Sequence, residues 1–139
     1  MTVALNGGCA CGAVRYECTA AEPLFVGHCH CRDCQRAGGG QMSTVAGVPA
    51  DSFRVTKGET KVYHYTGNSG KGLDRHFCPI CGSRLFTADV VAFPGVVMIA
   101  VGSLDDPSQV KPGMHIFTAS AQPWDIIPAD MPQFPGMPG

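Results

Sequence analysis

Charged side chains are scarce in this chain of 139 residues: ten Lys and Arg stand against eleven Asp and Glu, 15% of the total. No run of like charge occurs anywhere, so the basic face that a nucleic-acid partner requires is missing. No apolar run approaches the roughly 20 residues that a bilayer-spanning helix needs. The opening "MTVALNGG" has neither the basic nor the apolar segment of an export signal. The expectation is a cytoplasmic protein with no membrane and no nucleic-acid partner, in a compartment where thiols stay reduced. Long helical stretches are missing too, because 18 Gly and 11 Pro interrupt the chain at short intervals. That composition favours strands and turns.

What the chain does have is eight cysteines. In a reduced compartment these point to metal before disulfides. A chain of this length buries a core without covalent staples. The reading is one β domain over residues 1–128, followed by a Pro-rich tail, 129–139, that lies extended on the surface or is disordered.

The fold class expected is all-β. In "AVRYEC" Val14, Tyr16 and Cys18 take one face while Arg15 and Glu17 take the other. Further strands are expected in "PLFVGH", "QMSTVAGV", "FRVTKG", "KVYHYT", "HFC", "SRLFTA", the apolar run "GVVMIAVGSL", and "MHIFTA". Only "CRDCQRAG" suits a helical turn or two, with single turns at "PADSF" and "LDDPSQ". "GNSGKG", residues 67–72, is expected to be the most flexible internal loop.

The cysteines fall into two sets with different prospects. Cys78-x-x-Cys81 followed by Gly82 is a zinc knuckle: a tight turn aims both sulfurs at one ion, and Gly permits a left-handed backbone with its amide toward a thiolate. Cys9 and Cys11, followed by Gly12, offer a second pair. Together Cys9, Cys11, Cys78 and Cys81 would make a closed site joining distant parts of the chain. Structural zinc contributes roughly 10–16 kcal/mol in small zinc domains, comparable with the whole net stability of a domain at about 5–15 kcal/mol.

"HCHCRDCQRAGGG" leaves Cys29, Cys31 and Cys34 as a set of three. Three protein ligands and an open position characterise a catalytic or substrate-binding zinc. Three thiolates over-neutralise the ion, which makes it poor at acidifying water and better suited to a substrate thiol. The alternative is a closed site completed by His28, His30 or Cys18. Strand alternation places Cys29 and Cys31 opposite His28 and His30, and Cys18 on the apolar face of its strand, as a small core residue. Arg32 and Arg36 would offset the anionic site and attract a carboxylate, with Gly38, Gly39 and Gly40 allowing close approach of backbone amides. Solvated arginines and a plain turn are the plainer reading of the same residues.

"GGCACGAVRYEC", "HCHCRDCQRAGGG", "FRVTKGETKVYHYTG" and "RHFCPICGSRLF" resemble, in order and spacing, the glutathione-dependent formaldehyde-activating enzyme family, which also includes centromere protein V. "GSLDDP" and "HIFTASAQPWDIIPADMPQF" look like its C-terminal segments, so the resemblance runs over roughly residues 6–135. It implies several short, coiled antiparallel sheets of the β-tent type, a structural zinc on Cys9, Cys11, Cys78 and Cys81, and a catalytic zinc on Cys29, Cys31 and Cys34. The implied reaction is condensation of glutathione with formaldehyde to S-hydroxymethylglutathione, a carbon–sulfur lyase activity with two zincs per chain and glutathione as cosubstrate. On that reading Arg36 meets a substrate carboxylate, His30 transfers a proton and Trp124 walls the pocket. Cys18 is not part of the family motif. The alternative function is a non-catalytic carrier of glutathione or its adduct, or a zinc-stabilised interaction module.

Overall fold

The computed structural model describes residues 4–66 and 71–138; most of the "GNSGKG" loop, residues 67–70, lies outside the described residues. The strands β1 (Leu5–Gly8), β2 (Arg15–Cys18) and β5 (Phe53–Lys57) form a three-stranded antiparallel sheet in the order β1-β2-β5. A second sheet has seven strands: β3 (Phe25–Cys29), β4 (Ser43–Pro49), β6 (Lys61–Tyr65), β7 (Leu73–Phe77), β8 (Arg84–Ala88), β9 (Val96–Ala100) and β10 (Met114–Ile116). Their order is β10-β3-β4-β9-β8-β7-β6. Neighbours pair antiparallel except β10, which runs parallel to β3. The protein is all-β, with a single short α-helix among the described residues, α1 (Arg32–Gly38).

The core lies between the two sheets. Tyr16 and Cys18 of β2 and Phe53 of β5 pack against Ala46 and Val48 of β4, Phe86 of β8 and Ile99 of β9. The Tyr16, Phe53 and Phe86 rings form a tilted cluster with centroids 4.6 to 6.4 Å apart. Tyr16 stays in this apolar setting because its hydroxyl meets Ser103 Oγ at 2.5 Å, as a buried phenol requires. Cys18 is fully buried with Sγ 3.4 Å from Ser52 Oγ, a core residue far from any ligand set.

Alternation along the large sheet fixes what its second face carries. Val26, Ala46, Ile99, Phe86 and His76 stand in one cross-strand row toward the core. Residues one step away point oppositely. These include Cys29 and Ser43, which face each other across β3 and β4, and Thr87 and Arg75 across β8 and β7. The helix α1 crosses this second face. Tyr65, at the end of the edge strand β6, reaches it with a 2.6 Å hydrogen bond from its hydroxyl to Asp33 Oδ1. The sheet therefore coils until its last strand touches the helix that follows its second.

The chain after β10 folds back along that strand. His115 N donates to Pro132 O and Phe134 N donates to His115 O, both at 2.9 Å. The Pro-rich segment is thus extended and hydrogen-bonded, a ladder that proline carbonyls can still accept into.

Candidate metal centres

Cys9 and Cys11 sit in the turn between β1 and β2; Cys78 and Cys81 sit in the turn between β7 and β8. All four sulfurs lie within 4.8 Å of one another. Cys9 Sγ is 3.6 Å from Cys11 Sγ, which is 3.7 Å from Cys78 Sγ. A tetrahedral ion with Zn–S bonds of about 2.3 Å has sulfur–sulfur edges of about 3.8 Å, so the spacing suits such an ion. Gly12 and Gly82 both have left-handed φ, +79° and +77°. Their amides close the turns onto the carbonyls of Cys9 and Cys78, at 3.2 and 2.9 Å. This corrects the expectation that they would face a thiolate. The sulfurs instead accept from other amides: Val14 N at 3.2 Å on Cys9, and Ile80 N and Cys81 N at 3.4 and 3.5 Å on Cys78. Ser83 adds its hydroxyl 3.2 Å from Cys81 Sγ, and with its own amide holds that thiol down to about 5. Donated hydrogen bonds of this kind favour the thiolate that a metal needs.

The second cluster is built by a strand end and a helix start. Cys29 closes β3, Cys31 is the N-cap of α1 with extended backbone, and Cys34 lies one turn on. Cys31 Sγ accepts from Cys34 N at 3.2 Å. Its neighbours Cys29 and Cys34, with the amides of Cys34 and Asp33, pull the Cys31 thiol down to about 2, while Cys31, Cys34 and burial push the Cys29 thiol up. The three sulfurs lie within 4.8 Å of one another, and among the described residues no His, Asp, Glu or fourth Cys joins them. The set is open on the protein side.

His28 and His30 point away from the sulfurs, as alternation predicts. His28 Nδ1 meets Thr44 Oγ1 at 2.7 Å. His30 is fully buried; its Nε2 lies 2.8 Å from His115 Nδ1, and its Nδ1 faces Asp125 Oδ2 at 3.1 Å. The His28, His115 and His30 rings stack in succession with centroids 4.6 and 5.1 Å apart. His115 thus holds the ring whose backbone lies between two of the cysteines, and Asp125 lies beside it without hydrogen-bond geometry. Neither was visible in the sequence, where they stand 85 and 95 residues from His30. Gln35 completes the support. It is buried, donates to His30 O at 2.6 Å and Ser120 O at 3.0 Å, and accepts from Gln122 Nε2 at 2.9 Å and from Arg32.

The residues expected to hold substrate divide between two sides of α1. Arg36, Gly39, Gly40 and Trp124 come together, with Arg32, Gln35, Gln41 and Gln122, around a shallow depression of about 740 Å³. None of the three cysteines lines it. Gly38 is turned the other way, and a Cβ there would lie 3.2 Å from Ser43 Oγ and 3.8 Å from Arg84 Nη1. At about 100° per residue, positions 32, 35, 36 and 39 share one helix face, and 34 and 38 share the other. On the cysteine side the cation is Arg84. Its Nη1 donates to Ser43 Oγ, which donates in turn to Cys34 O at 3.0 Å. Burial lowers the Arg84 guanidinium, and the three thiols raise it.

Known proteins place this geometry. The family model described as glutathione-dependent formaldehyde-activating enzyme matches residues 4–120. A Halomonas elongata protein named "Putative glutathione-dependent formaldehyde-activating enzyme" is 30% identical over 125 residues, covering 86% of this chain and 78% of its own length. A crystal structure of a Rhodobacter sphaeroides protein superposes with a TM-score of 0.58 at 25% identity, covering 77% of this chain and 91% of that one. With both cysteine clusters inside the matched span, the chain belongs to the glutathione-dependent formaldehyde-activating enzyme family.

Proposed function

We propose that this protein is a zinc-dependent enzyme of the carbon–sulfur lyase type that condenses glutathione with formaldehyde. The observation carrying the reading is the open three-sulfur set of Cys29, Cys31 and Cys34 in a chain of this family. In the reaction the substrate sulfur bonds to the aldehyde carbon as the carbonyl π bond breaks. The thiol proton ends on the former carbonyl oxygen, giving S-hydroxymethylglutathione; the reverse direction cleaves the same bond. Zinc at Cys29, Cys31 and Cys34 supplies a position that favours the substrate sulfur as thiolate. A second zinc, on Cys9, Cys11, Cys78 and Cys81, has no open position and serves the fold.

The chain's own residues bind and orient. Arg36, with the Gly40 amide and the Trp124 ring, offers a cationic, partly aromatic surface for the charged backbone of the tripeptide; the Gly39 amide is spent capping α1 on Gln35 O at 2.8 Å. Gly38 keeps α1 close to Ser43 and so fixes Cys34. His30 has Nε2 against His115 and Nδ1 toward Asp125, so any proton it moves goes by way of one of these two groups.

The thiol and formaldehyde react unaided, so the test measures exchange between free and condensed glutathione by NMR, with the protein-free rate subtracted. A gain that disappears in Cys31→Ser supports catalysis. Binding of the adduct with no gain in rate would instead make the protein a carrier.

A further inference from the structure

Two guanidinium groups on the second face of the large sheet have hydrogen-bonding edges that nothing in the fold uses. Arg84 gives only Nη1, to Ser43; its Nε is buried without a partner. The Nε of Arg75 is likewise buried and unpartnered. Its guanidinium instead lies over the Tyr65 ring, 5.1 Å from the centroid. Buried donors are nearly always satisfied, and a pair of exceptions in one place calls for a ligand.

Arg84 lies beside the three-cysteine cluster, and Arg75 lies beside Arg84. Arg84 is joined to Cys34 O through Ser43, and Ser43 faces Cys29 across the β3–β4 ladder. Arg75 stacks on the tyrosine whose hydroxyl holds Asp33, the residue just before Cys34. Nearby carboxylates are already committed: Asp33 to Tyr65, and Asp74 to His64 at 2.6 Å. Among the described residues neither arginine has an ion-pair partner. Three thiolates on a divalent ion carry a charge of −1, which one guanidinium balances, so the second is in excess. Nη2 of Arg84 has no hydrogen-bond partner among the described residues, and with Nη1 it forms the planar end of the guanidinium that receives a carboxylate in bidentate fashion.

We propose that Arg75 and Arg84 form the carboxylate-binding subsite of the three-cysteine centre and receive one carboxylate of the thiol substrate. The proposal rests on the reading that a thiol binds there, and deepens it: the preferred thiol is one with a carboxylate within reach of its sulfur. Arg36, across the helix, is left for the opposite end of the molecule.

The test uses cobalt-substituted protein, whose thiolate-to-metal absorption reports sulfur ligation, titrated with glutathione, its diethyl ester and 2-mercaptoethanol. Glutathione is expected to bind about tenfold or more tightly than the diester, the worth of one charge-assisted bidentate contact. In Arg75→Gln that ratio falls at least about fivefold, the remainder being the carboxylate left to Arg36, with 2-mercaptoethanol affinity unchanged. Arg84→Lys, which keeps the charge and loses the fork, lies between and covers the case in which Arg75→Gln does not fold. An unchanged ratio in both variants overturns the subsite while the thiol reading stands. Equal weakening of all three thiols also overturns it, because the arginines then serve only to balance the sulfurs. If no thiol perturbs cobalt, the thiol reading fails, and calorimetry with S-methylglutathione decides the subsite alone. Binding lost in Arg75→Gln then supports it, and binding absent or insensitive to that change overturns it.

Discussion

Tyr65 and Asp33, 32 residues apart, join the free edge of the seven-stranded sheet to the helix between Cys31 and Cys34 through a single 2.6 Å hydrogen bond. The bond closes a ring of structure around the three sulfurs, running from α1 through β3, β4, β9, β8 and β7 to β6. Removing the hydroxyl should open that ring without disturbing either core. In Tyr65→Phe, amide exchange in Lys61–Tyr65 should quicken, and a chelator should strip metal from the three-cysteine centre faster. Release from the four-cysteine site should not change. Equal rates at the three-cysteine centre in both proteins would show that the contact does not gate access.

Unequal ligand numbers predict unequal metal retention. Fully reduced protein should hold two zincs per chain. A mild chelator should take one while circular dichroism stays native, and the other only with unfolding. Cys81→Ser opens a set on which folding depends and should give insoluble or unfolded protein. Cys31→Ser should fold, retain one zinc and lose the labile one. Equivalent damage from the two substitutions would erase the distinction between the centres.

Tyr16 sets a limit on alkaline stability. Burial, only partly offset by Ser103, raises its phenol from 10.0 to about 12. The folded state therefore favours the protonated form. Its contribution is complete below the unfolded value and is lost as pH rises from about 10 to 12, at most about 2 to 3 kcal/mol from two pK units. Denaturant midpoints at pH 8 and 11 should differ by more in the wild type than in Tyr16→Phe. The variant should start lower for want of the Ser103 bond and then fall less. A parallel fall in both proteins would assign the alkaline loss to other groups.

Local patterns carried most of the fold. The alternation in β2 is visible in the residues and appears as burial of Val14, Tyr16 and Cys18 at 1%, 1% and 0% exposure. The Cys9/Cys11 pair, the Cys78/Cys81 pair and the three-cysteine set each show as a spacing because each belongs to a single turn, whereas the approach of the first pair to the second is tertiary. The strand β1 was not, since "LNGG" has no strand propensity. It is extended because Gly7 leaves the space that the Tyr16 hydroxyl and Ser103 O occupy, both within 2.5 Å of where a Cβ would stand. That reason is tertiary. So is the placing of Arg84, which reads in sequence as an ordinary charge two residues from core-facing Phe86 and stands on the second face because the β7–β8 register shifts beside it. Arg36 and Trp124 were expected at the pocket of the three cysteines, but the depression they line includes none of those sulfurs. Helical periodicity separates Arg36 from Cys34, and the opposite facing of Gly38 shows it.

The two clusters also differ in when they can exist during synthesis of the chain. Cys29, Cys31 and Cys34 are complete as soon as a stretch of six residues has emerged. Cys11 must wait for Cys78, 67 residues later, which at about 5–20 residues per second is several seconds of elongation. In that interval the newborn chain exposes a finished three-sulfur trap and an unfinished clasp. A metal ion arriving in that interval would meet the three-sulfur set first. An ion for the four-sulfur site would come second, when β7 and β8 bring their turn to the sulfurs that have been waiting since the first strand.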